Sequence, residues 1–117
     1  MCQNIRIISE IKTGQLAKCD TCQLYHLTFN NLLFQFTIEE FESFRKYLYH
    51  LEVDYWEHKH IDSDLSRKIP IPTLQENLFL MFNRKEINDL KKLVFNSNYD
   101  ASRILKTHEI EYAAYSN

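Results

Sequence analysis

Residues Asn31 to Leu48 read NLLFQFTIEEFESFRKYL, and residues Asn77 to Val94 read NLFLMFNRKEINDLKKLV. Laid over one another, they agree at five of eighteen positions: Asn31/Asn77, Leu32/Leu78, Phe36/Phe82, Glu40/Glu86 and Lys46/Lys92. Six more positions pair one large apolar residue with another: Leu33/Phe79, Phe34/Leu80, Phe41/Ile87, Phe44/Leu90, Tyr47/Leu93 and Leu48/Val94. Random pairing gives roughly one identity over such a window, so the match points to a repeated unit in which strand hands over to helix.

The handover has a chemical signature. Thr37-Ile38-Glu39-Glu40 is a capping box, in which the Thr hydroxyl accepts from the third helical N–H and the Glu side chain reaches back to the cap. Asn83-Arg84-Lys85-Glu86 repeats it at the same offset. In the first helix Ile38, Phe41, Phe44, Leu48 and Leu51 form an apolar stripe, with Glu42, Arg45, Lys46 and Glu52 expected to face water; Ile87, Leu90, Leu93 and Val94 repeat the stripe.

Upstream, Ile5, Ile7 and Ile11 fall on one face of an extended segment, and Lys12-Thr13-Gly14 places the only Gly of the chain at a turn. The next strand runs into Cys19-Asp20-Thr21-Cys22, after which Tyr25, Leu27 and Phe29 alternate. Asn30-Asn31 makes a hairpin turn, because Asn tolerates positive φ, and Leu32, Phe34 and Phe36 line the following strand. Between the copies lie Val53 to Ile61, rich in aromatics and His, and then Lys68-Ile69-Pro70-Ile71-Pro72, whose prolines confine it to an edge strand or an extended arm. Near the end, Asp100 is placed to cap a last helix over 99–115, with Ile104, Leu105, His108 and Tyr112 sharing a face.

The expected fold is therefore α+β. It has an antiparallel sheet with two pseudo-repeated strand–strand–helix units, about 23–52 and 66–96, and an added C-terminal helix, in one domain over 1–117.

Composition bounds the function. A chain of 117 residues buries enough surface to fold without metal or disulfide, and 14% aromatic content with one Gly and two Pro leaves little room for disorder. A net charge of −2 argues against a protein that mainly neutralises phosphates, so nucleic acid is not an expected partner. No apolar run has the length of a membrane span, and MCQNIRIISEIK lacks the basic start and apolar centre of a signal peptide, which together place the protein in the cytoplasm. In that reducing compartment three cysteines stand as thiols or metal ligands rather than as a disulfide framework.

Several residues invite a chemical reading. Cys19 and Cys22, two thiols on a tight turn, supply half of a tetrahedral zinc site that His58 and His60 would complete if they alternate along a strand; as simple half-buried hairpin residues they would bind nothing. Asp20 between the cysteines opposes thiolate formation, against redox catalysis. Tyr47, Tyr49, Tyr55 and Trp56 suit either a binding patch or core packing. Arg67, Lys68, Arg84, Lys85, Lys91 and Lys92 are basic, but their acidic neighbours Glu86 and Asp89 make them a solvated face. No phosphate loop or catalytic triad is visible, so there are no catalytic or cofactor-binding candidates.

With CDTC followed by LYHLTFNNLLFQFTIEEFESF and, later, RKIPIPTLQENLFLMFNRKEINDL, the chain resembles a family of small CxxC-containing proteins from Bacteroidota classed as a domain of unknown function. The resemblance covers about 16–95 and implies no activity, cofactor or catalytic residue. The first functional reading is a non-enzymatic cytoplasmic interaction or regulatory domain that meets a protein partner or a second copy through a sheet edge or the last helix. The alternatives are a zinc-binding domain using Cys19, Cys22, His58 and His60, and a ligand binder or enzyme with a pocket between the two repeats.

Overall fold

A computed structural model describes residues 4–95, so the expected C-terminal helix over 99–115 lies outside the described residues. The elements are β1 (Ile5–Ile11), β2 (Gly14–Cys19), β3 (Leu24–Phe29), β4 (Leu32–Phe36), α1 (Ile38–Tyr49), α2 (Val53–Lys59), β5 (Ile69–Pro72), β6 (Phe79–Phe82) and α3 (Arg84–Phe95). The chain forms two compact units: one runs to His50 and resumes at Asp89, and the other is Leu51–Asn88. Helix α3 contributes to both.

The first unit is built on an antiparallel sheet of order β1-β2-β3-β4. Directly opposed residues share a face, so the pairs Leu16↔Leu27, Leu27↔Phe34, Tyr25↔Phe36 and Phe29↔Leu32 put one apolar set on one side. That side receives α1: Tyr25 stacks on Phe41 at 4.1 Å between ring centroids, and Phe36 lies 5.0 Å from Phe44. It also receives the C-terminal half of α3, where the fully buried Ser9 hydroxyl donates to the Leu93 carbonyl at 2.5 Å.

Asn30 adopts φ 52° in the β3–β4 turn, as its sequence position suggested. Gly14 is required for a different reason from the expected turn. A Cβ there would come within 2.2 Å of the Thr28 carbonyl, so close approach of β2 and β3 excludes any side chain. A register shift between Ile7 and Ser9 also overturns one face assignment: Ile5 and Ile7 pair with Cys19 and Ala17 on the side away from the helices, whereas Ile11 pairs with Gly14 on the helix side. One extra residue in a strand inverts every side chain beyond it. Arg45, expected in water, is buried, with its guanidinium 5.5 Å from the Phe41 ring and 5.7 Å from that of Phe95. The planar, weakly hydrated guanidinium tolerates such stacking where an ammonium would not.

The second unit contains α2, the two-stranded β5–β6 sheet and the start of α3. Val53–Lys59 is helical, not extended: Val53, Trp56, Glu57 and His60 are its half-buried positions, at helical spacing. Strand–strand–helix thus occurs as β3-β4-α1 and as β5-β6-α3, but the first hairpin belongs to a four-stranded sheet while the second stands as two strands.

Both capping boxes are formed. The Thr37 hydroxyl accepts the Glu40 N–H at 3.1 Å and the Glu40 carboxylate accepts the Thr37 N–H at 2.9 Å; Asn83 and Glu86 make the same exchange at 2.8 and 2.9 Å. Thr37→Ala and Asn83→Ala should each destabilise the protein by about 1 kcal/mol. Denaturation midpoints measured in urea will show the loss, and unchanged midpoints for both variants would contradict the assignment.

Candidate functional site

The feature that stands out is the β5–β6 hairpin. Its pairs are Ile69↔Phe82, Pro70↔Met81, Ile71↔Leu80 and Pro72↔Phe79. Proline has no N–H, so the residues that donate from β5 into the ladder are Ile69 and Ile71, and Thr73 continues the series by donating to the Leu78 carbonyl. Pro70 and Pro72 therefore occupy both positions of β5 whose N–H would point outward. That edge cannot donate to an added strand. On β6 the residues opposite the prolines, Phe79 and Met81, direct their N–H and C=O groups away from β5. No third strand among the described residues pairs with them.

The side chains sharpen the asymmetry. Ile69, Ile71 and Phe82 point inward and are 0%, 3% and 4% exposed. The outward face of the same hairpin consists of Pro70, Pro72, Phe79 and Met81, and Phe79 is 55% exposed. At the tip Leu74 is 92% and Leu78 49% exposed. A two-stranded sheet with one solvated face ordinarily alternates apolar and polar residues. This one is apolar on both faces beside a single edge that keeps its donors.

The other candidates are placed differently. Cys19 is a fully buried free thiol whose Sγ accepts the Cys22 N–H at 3.4 Å, while Cys22 is exposed and held in a disulfide. His58 and His60 lie on α2 and at its C-cap, so two residues of helical rotation separate them and the shared strand face disappears. His60 stacks on Trp56 instead, with ring centroids 6.0 Å apart. Among the described residues no group of three or more His, Cys, Asp or Glu side chains is arranged to hold a metal ion.

Tyr47 and Tyr49 lie in α1, where burial pushes the Tyr47 phenol pKa upward, and Tyr55 and Trp56 lie in α2 beneath Lys59. Of the basic residues, Arg67 forms a two-pronged contact to Glu86 at 2.8 Å, and Arg84 pairs with Glu57 at 2.7 Å and with Asp54, which raises its pKa further. A cavity of about 310 Å³ in the second unit is lined by Glu57, Ile61, Ser66, Lys68, Ile69 and Asn83. Its polar groups are largely spent on the fold: Glu57 on Arg84, Asn83 on the α3 cap, and the Lys68 ammonium on the Ser63 carbonyl.

The described residues thus form a mixed α and β structure with an open strand edge on the β5–β6 hairpin. The chain belongs to the family described as "Family of unknown function (DUF6686)", whose profile matches residues 1–117. No curated protein and no solved structure matches it. No helix among the described residues is long and apolar enough to cross a membrane.

The hairpin is tied to α3 through Glu86. Its carboxylate accepts from Arg67 and from the Asn83 N–H, and these contacts, the Arg67 hydrogen bond first, hold its pKa below the usual carboxylate value against the opposing effect of burial. A folded-state pKa below that of the unfolded chain means that the ionised form stabilises the fold at neutral pH and that this contribution is lost as pH falls through the lowered value. Glu86→Gln should therefore lower stability at neutral pH, and the gap to wild type should close in acid. Thermal melts across that range would test it; a gap that did not change with pH would exclude the charge as its origin.

Proposed function

We propose that this protein is a non-enzymatic protein-interaction domain, and that its β5–β6 hairpin receives an extended, apolar segment of a partner protein along the outer edge of β6. The reading rests on one observation: both outward N–H positions of β5 are proline, whereas Phe79 and Met81 of β6 present backbone donors and acceptors beside an exposed apolar face. Strand addition draws affinity from main-chain hydrogen bonds and specificity from alternate side chains. An incoming strand would place every second residue against Phe79 and Met81, which favours apolar residues at alternate positions. A duplicated strand–strand–helix ancestry is compatible with this reading, whereas the Cys22 disulfide stands against the expectation of a reducing cytoplasm.

The test uses peptides selected from a random displayed library against the purified chain. Binders should carry alternating apolar residues and should slow hydrogen exchange at the Phe79 and Met81 amides. Met81→Pro removes an outward donor while leaving the β5–β6 ladder intact, and it should weaken binding at least about tenfold, the loss of one main-chain hydrogen bond plus an edge clash. Selected peptides that bind Met81→Pro as well as wild type, with no protection of these amides, would overturn the proposal.

A further inference from the structure

An antiparallel strand added at the β6 edge must set outward N–H and C=O groups against those of Phe79 and Met81, and must bring apolar side chains at alternate positions. β6 itself, Phe79–Phe82, meets both requirements: it carries no charge, and Phe79 and Met81 are its own outward residues. Its flanks are exposed and of opposite sign, with Glu76 before the strand and Arg84 and Lys85 after it. Antiparallel approach of two copies sets the acidic flank of each beside the basic flank of the other, whereas parallel approach would set like against like. Arg84 keeps Glu57 and Asp54 as near partners, so the flanks steer the approach rather than lock it.

Given strand addition at β6 as proposed above, we propose that the added strand is β6 of a second copy of this chain, which makes the protein a two-fold dimer. One register uses every outward group of both strands: Phe79 opposite Met81 of the second copy, Met81 opposite its Phe79, and the two Leu80 residues together at the axis. Each Phe79–Met81 pair exchanges both of its N–H···O bonds and lays a thioether against an aromatic ring. Slipping by one pair in either direction is worse. It sets Phe79 against Asn83, whose N–H is already given to Glu86, or Met81 against Asn77, which lies in the turn closed by the Leu78 N–H to Gln75 carbonyl bond. The resulting sheet has the order β5-β6-β6-β5, and both of its outer edges are the Pro70/Pro72 edge, without donors for a further strand. The assembly therefore closes at two. An unrelated extended segment at β6 would leave its own far edge open; a second copy leaves none.

With strands of four residues the contact lies at the small end of specific interfaces, so the dimer should dissociate on dilution. Sedimentation velocity of the full chain across a dilution series should fall from twice the monomer mass to the monomer mass. Hydrogen exchange at the Phe79 and Met81 amides should be at least about tenfold slower at the concentrated end, a readout that needs no substitution. The double variants Phe79→Lys/Met81→Lys and Phe79→Glu/Met81→Glu, with the circular dichroism of wild type, should each stay monomeric. Their equimolar mixture should dimerise again, because the register sets each introduced lysine against a glutamate. A wild-type chain that is monomeric throughout while selected peptides still bind at β6 would overturn the second copy and leave strand addition standing; failure of both dimer and peptides would overturn both. A dimer that forms without slowing these amides, or that survives in both folded double variants, would place the contact elsewhere and overturn the proposal.

Discussion

The first unit depends on one aromatic layer. Tyr25 and Phe36 pair across β3 and β4, and both rings meet Phe41 of α1, with Phe34 and Phe44 completing the contact. Aromatic rings carry large apolar area with few rotatable bonds, so this layer sets the position of α1 at little entropic cost. The Thr37 capping box fixes where that helix starts, one residue after β4 ends. Sheet, turn and helix therefore leave little freedom to one another.

Polar groups inside the units serve the same end. Ser9 is fully buried on the edge strand, and its bond to Leu93 ties β1 to α3 directly. Arg45 spreads a cation between Phe41 and Phe95, linking α1 to the end of α3 through ring faces while Glu42 lies 3.8 Å away. In the second unit Glu86 performs a comparable duty, because one carboxylate closes the α3 cap and anchors Arg67. Hydrogen-bonded as they are, the Ser9 hydroxyl and the Glu86 carboxylate cost little where they stand and would cost more if their partners were removed.

The hairpin of the second unit follows a different logic. Its inner face, Ile69, Ile71 and Phe82, is packed like a core, yet its outer face is as apolar, with Pro72 and Phe79 exposed and Pro70 and Met81 half-buried. The prolines close one edge to strand addition and leave the other available. Proline on one edge removes the donors that an added strand would need there, whereas the other edge keeps its donors.

Much of this was legible in the sequence by itself. The two capping boxes, the strand faces Tyr25/Leu27/Phe29 and Leu32/Phe34/Phe36, and the Ile87/Leu90/Leu93/Val94 stripe are set by local hydrogen bonding and by the periods of strand and helix, which near neighbours alone determine. The mixed helix-and-sheet class follows from them. Ile11 was assigned to the wrong face because a bulge is a property of pairing with β2, invisible in one strand. Helix α2 was obscured by its aromatic and β-branched residues, although Val53, Trp56, Glu57 and His60 do keep the helical spacing. Burial of Arg45 depends on the approach of Phe95, some fifty residues later, and Gly14 is needed only because Thr28 comes against it. The alternating prolines confine their segment to an edge strand or an extended arm. Which edge stayed open, and that Phe79 and Met81 line it, was decided by the β5–β6 register, since hydrogen-bond direction in a strand has meaning only once its partner is in place.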